Sequence, residues 1–421
     1  KKEGIMLIDT PVLTPAVIFD ASGHTSSFTD PVTACTHCKR KWRADQILEE
    51  QANISGEGLT MAQLDEKLKN HNVKCPECSG ELDPTKAFNE LFKTTIGPYS
   101  ENIGYGRPET AQGIFVNFKR LYELSRSQLP FGVAQIGRCV RNEISPRQGL
   151  IRLRELTIME FEFFFDGENT ICERLKEIEN EKIRILPEKM IKDDSREPVE
   201  VTVREALNIG YIKSEWNAYF MVKTVQFAES LGIPANKQYF IEKLPAERAH
   251  YSAQTYDQLV ELSRWGAVEL SGHAWRTDYD LKMHMLCSKK DLRAYVSYAK
   301  SITKKRIVKP HHKLLAEKFG DKTSNILEKL AELSEELLVS FKDQGYVEFI
   351  VEEKTYRVSS DMVNFKEVSA EEKGRRFLPQ VAEPSFGLDR HVHAILEFSY
   401  SEKEGRVVLK LPRNLAPYDI A

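Results

Sequence analysis

The sequence predicts an α+β fold, an antiparallel β-sheet flanked by helices and interrupted by inserted subdomains. Three features predict it. Residues 131–166 read as strands: Val133-Ala-Gln-Ile136, Cys139-Val140, and Ile158 to Phe165, the last alternating so that Glu160 and Glu162 share one side. Near the other end, Ser385-Phe-Gly-Leu-Asp-Arg-His-Val-His-Ala-Ile-Leu396 is a glycine turn opening an apolar helix. Between the first apolar segment and the strands lies an insert bounded by two Cys-x-x-Cys pairs.

In chain order, the apolar residues of Gly4–Leu13 precede Thr-Pro-Val-Leu, as at a helix-to-strand junction. The Cys-rich insert runs from about 34 to 80 and contains a helical stretch near Met61–Leu68. Thr110–Gln128 carries Ile114, Phe115, Phe118, Leu121 and Tyr122 at helical spacing. Residues 170–245 are mixed. Residues 290–345 read as charged and helical, with an amphipathic stretch from Thr323 to Phe341, and 346–358 as a strand. Val407-Val-Leu-Lys-Leu411 is strand-like and leads to a Pro-rich exit. Internal repeats and low-complexity linkers are lacking.

With 421 residues, 41% hydrophobic and 29% charged, the chain can bury a sizeable core in two or three compact units. No stretch approaches the ~20 consecutive apolar residues of a membrane helix, and Lys1-Lys2-Glu3-Gly4-Ile5 does not begin a secretory leader, so a cytoplasmic protein without membrane contact is expected. The first residue is not Met, which suggests a piece of a longer product. A formal net charge of −3 excludes a protein that coats nucleic acid by bulk electrostatics. Nucleic-acid contact must then be local, and Lys304-Lys305-Arg306 with Lys309, His311, His312 and Lys313 is the candidate, a solvated face being the commoner meaning of such a run.

Seven cysteines divide into four and three. Cys35-Thr-His-Cys38 and Cys75-Pro-Glu-Cys78 are two knuckles, whereas Cys139, Cys172 and Cys287 are scattered. Two knuckles presenting two thiolates each complete a tetrahedron around Zn2+, a closed structural site with no open position for catalysis. The 36 residues between them exceed the usual ribbon spacing, and a reduced, metal-free hairpin is the alternative.

Neither a Gly-x-x-x-x-Gly-Lys-Ser/Thr loop nor a Gly-x-Gly-x-x-Gly turn after a strand occurs, so a nucleotide site needs other parts. Three islands offer them: Arg107-Pro-Glu-Thr-Ala-Gln-Gly113, the segment from Arg141-Asn-Glu to Glu155, and Glu383-Pro-Ser-Phe-Gly-Leu-Asp-Arg390. Arg141, Arg152 and Arg390 stand in or beside sheet elements, where a cation requires an anionic partner. Phosphate oxygens suit the guanidinium fork, while internal pairing with Glu143, Glu155 or Glu160 is the plainer alternative.

The islands together resemble the class II aminoacyl-tRNA synthetases. Glu3-Gly4-Ile5 through Pro11-Val12-Leu13 looks like motif 1, which in that family builds the dimer interface; Val140-Arg141-Asn142-Glu143, a loop, then Arg152 onward to Glu160 is similar to motif 2; Gly387-Leu388-Asp389-Arg390 with its apolar helix is similar to motif 3. Within class II the chain resembles the glycyl-tRNA synthetases of the dimeric kind found in archaea, eukaryotes and some bacteria. That likeness rests on Ala21-Ser-Gly-His24 with Phe28-Thr-Asp-Pro31, Arg107 to Phe115, Leu129-Pro-Phe131, Gln135-Ile-Gly137, Arg141-Asn-Glu-Ile-Ser-Pro-Arg147 and Glu383-Pro-Ser385.

The resemblance implies a glycine–tRNA ligase that uses ATP with Mg2+, glycine and tRNA(Gly), as a homodimer. Arg141, Glu143 and Arg390 are the implied catalytic residues. Arg141, Asn142, Glu143, Arg152, Leu153, Leu156, Glu269, Leu270 and Arg390 are implied at ATP, with Glu269-Leu270 near the ribose and a phosphate-bound Mg2+. Glu109, Glu160, Glu383, Pro384 and Ser385 form the implied glycine pocket. The plainer readings make Glu160 a sheet-edge acid and Glu109 a charge offsetting a helix dipole. His24, His250 and His273 are expected to be structural or tRNA-facing. The implied domains are a catalytic core in 1–33 and 81–166, the Cys-rich insertion 34–80, an insertion at 167–215, core strands in 216–284, a helical insertion at 285–373 for the tRNA acceptor stem, core again at 374–414, and the start of an anticodon-binding domain at 415–421. The chain departs from the motif 2 pattern at Leu156, where the family has a phenylalanine against adenine. A synthetase-like paralogue acting as a non-catalytic accessory subunit, or a domain making adenylate or dinucleoside polyphosphates without charging tRNA, are the alternatives.

Overall fold

The computed structural model describes residues 5–418 apart from 57, 99–100, 145, 147, 194, 299–301, 352–353 and 372–373, and describes the backbone alone at 302–306, 335–336 and 367–371. Glu3, Gly4, Ser145, Arg147, the side chains of Lys304, Lys305 and Arg306, and residues 419–421 therefore lie outside the described residues. The chain divides into two compact units, one formed by residues 1–294 with 378–421, the other by residues 295–377.

The first unit is built on a nine-stranded sheet. Its strands are β1 Met6–Leu7, β2 Phe131–Val140, β3 Glu155–Phe165, β4 Lys182–Leu186, β5 Val199–Thr202, β6 Gln238–Glu242, β7 Gln254–Leu262, β8 Gly266–Thr277 and β9 Gln380–Gly387. They lie in the order β1-β2-β3-β9-β8-β7-β6-β4-β5, antiparallel except for the β1–β2 and β4–β6 pairs. The sheet and flanking helices are those of the predicted α+β class. Residues 167–215, read as an insertion, supply β4 and β5 to this same sheet.

Alternation along β3 explains how helices cover both faces. Phe163 packs on Trp216 and Phe220 of α2, Glu215–Ser230, whose fully buried residues join Phe165, Ile183, Ile185, Phe240 and Tyr256 in one core. Phe164 points the other way, onto Phe115 and Phe118. Phe115 belongs to α1, Ala111–Val116, and Phe118 opens a second short helix, Phe118–Leu124, so the predicted helix over Thr110–Gln128 is broken at Asn117. The helices α3, Tyr279–Ser288, and α4, Leu388–Ser399, complete the set that positions the site.

The predicted helix before Leu13 is absent among the described residues. Met6 and Leu7 pair in parallel with Val133 and Ala134, and Ile8 donates to the Ala134 carbonyl. So short an apolar run gains more from completing a sheet edge than from a helix whose nucleation is unfavourable. Strand Leu13–Pro15 follows and pairs with Ile103–Gly106.

In the Cys-rich segment, helix Met61–Asn70 begins at a reciprocal cap between Thr60 and Gln63, and it packs with helix Ala44–Ala52 around Ile47, Leu48, Leu64, Leu68 and Val73. The second unit mixes strands and helices where the sequence reads as helical. Ile302–Pro310 pairs with Val363–Glu371, three helices span His312–Phe319, Thr323–Ala331 and Glu335–Gln344, and a hairpin joins Tyr346–Val351 to Lys354–Ser359. Leu315, Ile326, Leu330, Phe341, Phe349 and Val358 form its core. The charged run 302–310 escapes the helical reading because pairing with Val363–Glu371 satisfies its backbone as a strand.

Gly113 fixes the height of α1 above the first segment: a Cβ there would stand 2.1 Å from Thr10 Oγ1. Gly113→Ala is therefore predicted to destabilise the chain by about 1–3 kcal/mol through overpacking, read as a lower urea midpoint at unchanged slope.

Candidate active site

A cleft of about 430 Å³ opens on one face of β3, β9 and β8 and is walled by the 141–153 segment, the 243–251 loop and the start of α4. Of the residues implied by motif likeness, Glu109, Arg141, Glu143, Arg152, Leu153, Leu156, Glu160, Glu269, Leu270, Glu383, Ser385 and Arg390 line it. Asn142 and Pro384 do not. Pro384 lies between Glu383 and Ser385 on β9, so the two-residue period turns its ring to the opposite face, and the Asn142 amide is tied to the Glu90 carbonyl.

The deep end is acidic, and a single arginine organises it. Arg276 is fully buried at the end of β8, at a shift in register between Trp275 and Thr277 that re-aims its side chain. Nε and Nη2 donate to Asp280 at 2.8 and 3.0 Å, Nη1 donates to Glu383 at 2.8 Å, and Nη2 lies 3.5 Å from Glu109. The guanidinium carbon rests 3.7 Å from the centre of the Tyr251 ring. Gln112 ties the cluster to two helices, donating to Glu109 at 3.0 Å and to Asp280 at 2.8 Å. Neither Arg276 nor Asp280 was singled out from the sequence; the signal available was their i,i+4 spacing at the strand-to-helix junction.

Glu160 is held differently. Its Oε2 accepts from the Thr110 amide at 2.5 Å, the Thr110 hydroxyl at 2.6 Å and the Ala111 amide at 3.0 Å, while Oε1 accepts from the Ser385 hydroxyl at 2.9 Å. It thus answers the free amides at the start of α1, the place the sequence reading offered to Glu109. Nor is it a sheet-edge acid, since β3 lies between β2 and β9.

Two neighbouring carboxyls respond oppositely to one guanidinium. Burial works against ionisation of Glu109, but Arg276, then His24 and Gln112, hold it well below the usual carboxylate range. Glu383 is pushed up to about 8, chiefly by burial; Arg276 opposes the rise, and the charges of Glu160, Glu109 and Asp280 add to it. The difference follows from donors: Glu109 Oε1 is shared by Arg276, Gln112 and, at 3.4 Å, His24, while Arg276 is the one donor to Glu383 seen among the described residues.

The outer part of the cleft is cationic. Arg141 donates to the Pro108 carbonyl at 3.1 Å and lies 5.7 Å from the centre of the Phe28 ring. Arg152 pairs with Glu143 at 3.3 Å and reaches Gln46 of the Cys-rich segment at 2.9 Å, so internal pairing holds this arginine in place. Arg390 is clamped by the carbonyls of Ile151, 3.0 Å, and Glu269, 2.8 Å, and by the Glu269 carboxylate, 3.1 Å. Against the effect of burial, Arg390 and Lys243 hold Glu269 below the ordinary range. Asp389 accepts from the Thr157 amide at 2.6 Å and thereby pins α4 to β3. Phe28, Lys243, Arg248 and Tyr251 also line the cleft without having been anticipated.

The three histidines set aside on sequence grounds serve the framework. His24 bridges Ser22 and Glu109, His250 contacts the Ser22 carbonyl at 2.8 Å, and His273 is pushed down to about 3 by burial.

Residues 105–398 match the family described as the tRNA synthetase class II core domain (G, H, P, S and T), and the sheet with its carboxylate floor and arginine walls is the core of such an enzyme. Over nearly its whole length the chain is similar to the glycine–tRNA ligases of Aeropyrum pernix, 43% identical over 99% of this chain and 71% of that protein, and of Pyrococcus abyssi, 43% identical over 100% and 74%. The corresponding protein of Methanocaldococcus jannaschii is 39% identical over 99% and 74%. The chain belongs to the glycine–tRNA ligase family.

Replacing Arg276 leaves buried carboxylates without their counter-charge. Arg276→Met is predicted to lose about 3–5 kcal/mol in urea unfolding at pH 7, and Arg276→Lys to recover only part of it, because one ammonium cannot reproduce a fork engaged by Asp280 and Glu383 together.

Proposed function

We propose that this chain activates glycine with ATP and transfers the glycyl group to the 3′ end of tRNA(Gly), with the cleft as the site of both steps. The observation that carries this reading is the division of one cleft into a carboxylate floor and an arginine wall. An amino acid without a side chain offers an ammonium, which the floor suits, and a carboxylate, which must meet the α-phosphate.

Glu109, Glu160, Glu383 and Ser385 take the ammonium end. Five hydrogen bonds from Thr110, Ala111, Ser385 and Gln112 already hold Glu160 and Glu109, so the walls are fixed and a methyl group would displace them. Steric exclusion of larger amino acids is the easier direction of discrimination, and editing is not required. Arg141 faces the α-phosphate, Glu143 the adenine amino group, Arg152 with Leu153 the rest of the nucleotide, and Arg390 the γ-phosphate. Glu269, with Leu270, stands at the ribose and would take part in holding the Mg2+ of MgATP, which supplies charge neutralisation on the phosphates. Leu156 packs on the base with Phe28 nearby, in place of a single stacked ring.

In the first step a glycine carboxylate oxygen bonds to the α-phosphorus in line as the bond to pyrophosphate breaks; in the second a terminal ribose hydroxyl of tRNA bonds to the glycyl carbonyl carbon and AMP leaves. Fixed cations stabilise the charge that builds on the α-phosphate oxygens, and no protein nucleophile is needed. A non-catalytic accessory role is less well supported, since it has no use for Arg141, Arg390 and the carboxylates converging on one cleft.

The four knuckle thiols fit a structural Zn2+. Their Sγ atoms all lie within 4.8 Å of one another, with Cys35–Cys78 at 3.4 Å and Cys38–Cys75 at 3.7 Å, close to the ~3.8 Å edge of a tetrahedron with Zn–S bonds of about 2.3 Å. A Cβ at Gly80 would stand 2.9 Å from Cys35 Sγ, so the knuckle requires glycine there. A homodimer through the first segment is supported by exposed Leu7, Leu13 and Val17 and by an apolar recess lined by Val12, Leu13 and Phe92. No helix among the described residues is long and apolar enough to cross a membrane.

Glycine-dependent ATP–pyrophosphate exchange tests the activity. Exchange with glycine and none above background with alanine or serine is expected; absence of glycine-dependent exchange contradicts the reading. Arg141→Ala is predicted to lower kcat for exchange by about 10²–10³-fold. Metal analysis of the purified protein is predicted to find one zinc per chain, lost in Cys75→Ser together with unfolding of the Cys-rich segment.

A further inference from the structure

Glu162 is wholly buried, and neither of its carboxyl oxygens has a hydrogen-bond partner among the described residues. A polar group in that state is costly, and it is kept beside the proposed glycine pocket. Pairing of Ala382 with Phe163 and of Ser385 with Glu160 sets Glu383 directly across from Glu162 on the same face of the sheet. Side chains so placed have Cβ atoms about 4.5–5.5 Å apart, and like charges there repel. Arg276 cannot serve both carboxyls: its fork is occupied by Asp280, Glu383 and Glu109.

The charged and titratable groups facing this pair are Glu160 on β3, Arg276 on β8, Asp280 on α3, and Glu109, with His24 and Tyr251 beyond. On β2 the residue opposite Glu162 is Val133, which offers nothing polar. Burial first, then the charge of Glu383, raises Glu162 well above the usual range, and Glu383 itself stands at about 8. Both shifts favour the protonated form of the pair.

We propose that Glu162 is a positioning residue for the substrate ammonium: it keeps its proton, donates it in a hydrogen bond to Glu383, and so allows Glu383 to give up its own proton when glycine binds. This rests on the reading of the cleft as the glycine site. The balance is simple: the free pair carries two protons, the complex carries one proton and one ammonium, and one proton goes to solvent. No covalent bond to glycine changes.

The sign follows. An ammonium beside Glu383 favours its charged form and lowers it from about 8, so binding competes with protonation below that pH. Glycine KM falls as pH rises towards 8, with a limiting slope of about tenfold per pH unit, and levels off above.

The test is the glycine KM in ATP–pyrophosphate exchange between about pH 6 and 9 for the unaltered chain, Glu162→Gln and Glu162→Met. Glutamine keeps a neutral donor of the same shape and is expected within about threefold of the unaltered KM across that range. Methionine removes the donor and is expected to raise glycine KM at least about tenfold at neutral pH, with ATP KM within about twofold. Its urea midpoint is expected to be unchanged or higher, since an apolar group replaces an unpartnered carboxyl. A merely structural role predicts instead that both variants lose stability and activity together. Unaltered glycine KM in Glu162→Met, equal impairment of Glu162→Gln, or a pH-independent KM in the unaltered chain overturns the proposal alone. Absence of glycine-dependent exchange in the unaltered chain overturns the glycine-site reading and this proposal with it.

Discussion

Charge compensation around Arg276 is the constraint from which the rest of the site follows. A wholly buried guanidinium must be paired, and carboxyls buried beside one another must have a cation or a proton between them. In this chain the two requirements answer each other. Asp280 and Glu383 engage the fork directly, Glu109 shares it with Gln112 and His24, and Tyr251 lies across its face. Because those partners come from β9, α3 and the segment that enters α1, satisfying the hydrogen bonds of one side chain on β8 also fixes the placement of these elements around it.

The cleft inherits its polarity from that arrangement. Acidic side chains gather where β3, β9 and β8 run side by side, while the arginines sit at the loop beyond β2 and at the start of α4. Two of the arginines are oriented by backbone carbonyls: Arg141 by Pro108, and Arg390 by Ile151 and Glu269. Carbonyl acceptors fix a guanidinium without neutralising it, so positive charge remains for phosphate. Asp389 acts alongside, binding α4 to the Thr157 amide so that Arg390 cannot drift from β3. A site of this kind lowers a barrier by having its charges in place before the reaction begins.

Much of this was legible in the sequence, and the reasons for the remainder are physical. Period-two alternation exposed β3 and put Glu160 and Glu162 on one face, although that face is buried rather than the solvent side of a half-buried strand. The helix after Gly387 and the paired cysteines were visible because a glycine turn and a Cys-x-x-Cys spacing are local. Long-range pairing is not local. Nothing in Met6-Leu7 announces a parallel partner at Val133 and Ala134, and the charged strand Ile302–Pro310 has a helical composition until Val363–Glu371 lies beside it. Arg276 was missed for the same reason, since its partners lie up to 167 residues away. Motif likeness pointed to residues that line the cleft; it did not point to Arg276, which holds the carboxylates in place. Residues 167–215 show the converse error of scale, for a segment that reads as an insertion supplies two strands to the main sheet.

The account's central claim is that Arg276 serves the carboxylates and leaves the substrate ammonium to them. A crystal structure of the chain with a non-hydrolysable glycyl-adenylate analogue tests this most directly. The account predicts the ammonium within hydrogen-bonding reach of Glu109, Glu383 and the Ser385–Glu160 pair, the phosphate mimic beside Arg141, and Arg276 still bonded to Asp280 and Glu383. An ammonium bound away from these carboxylates, or an Arg276 that has left Asp280 to contact the ligand, would contradict it.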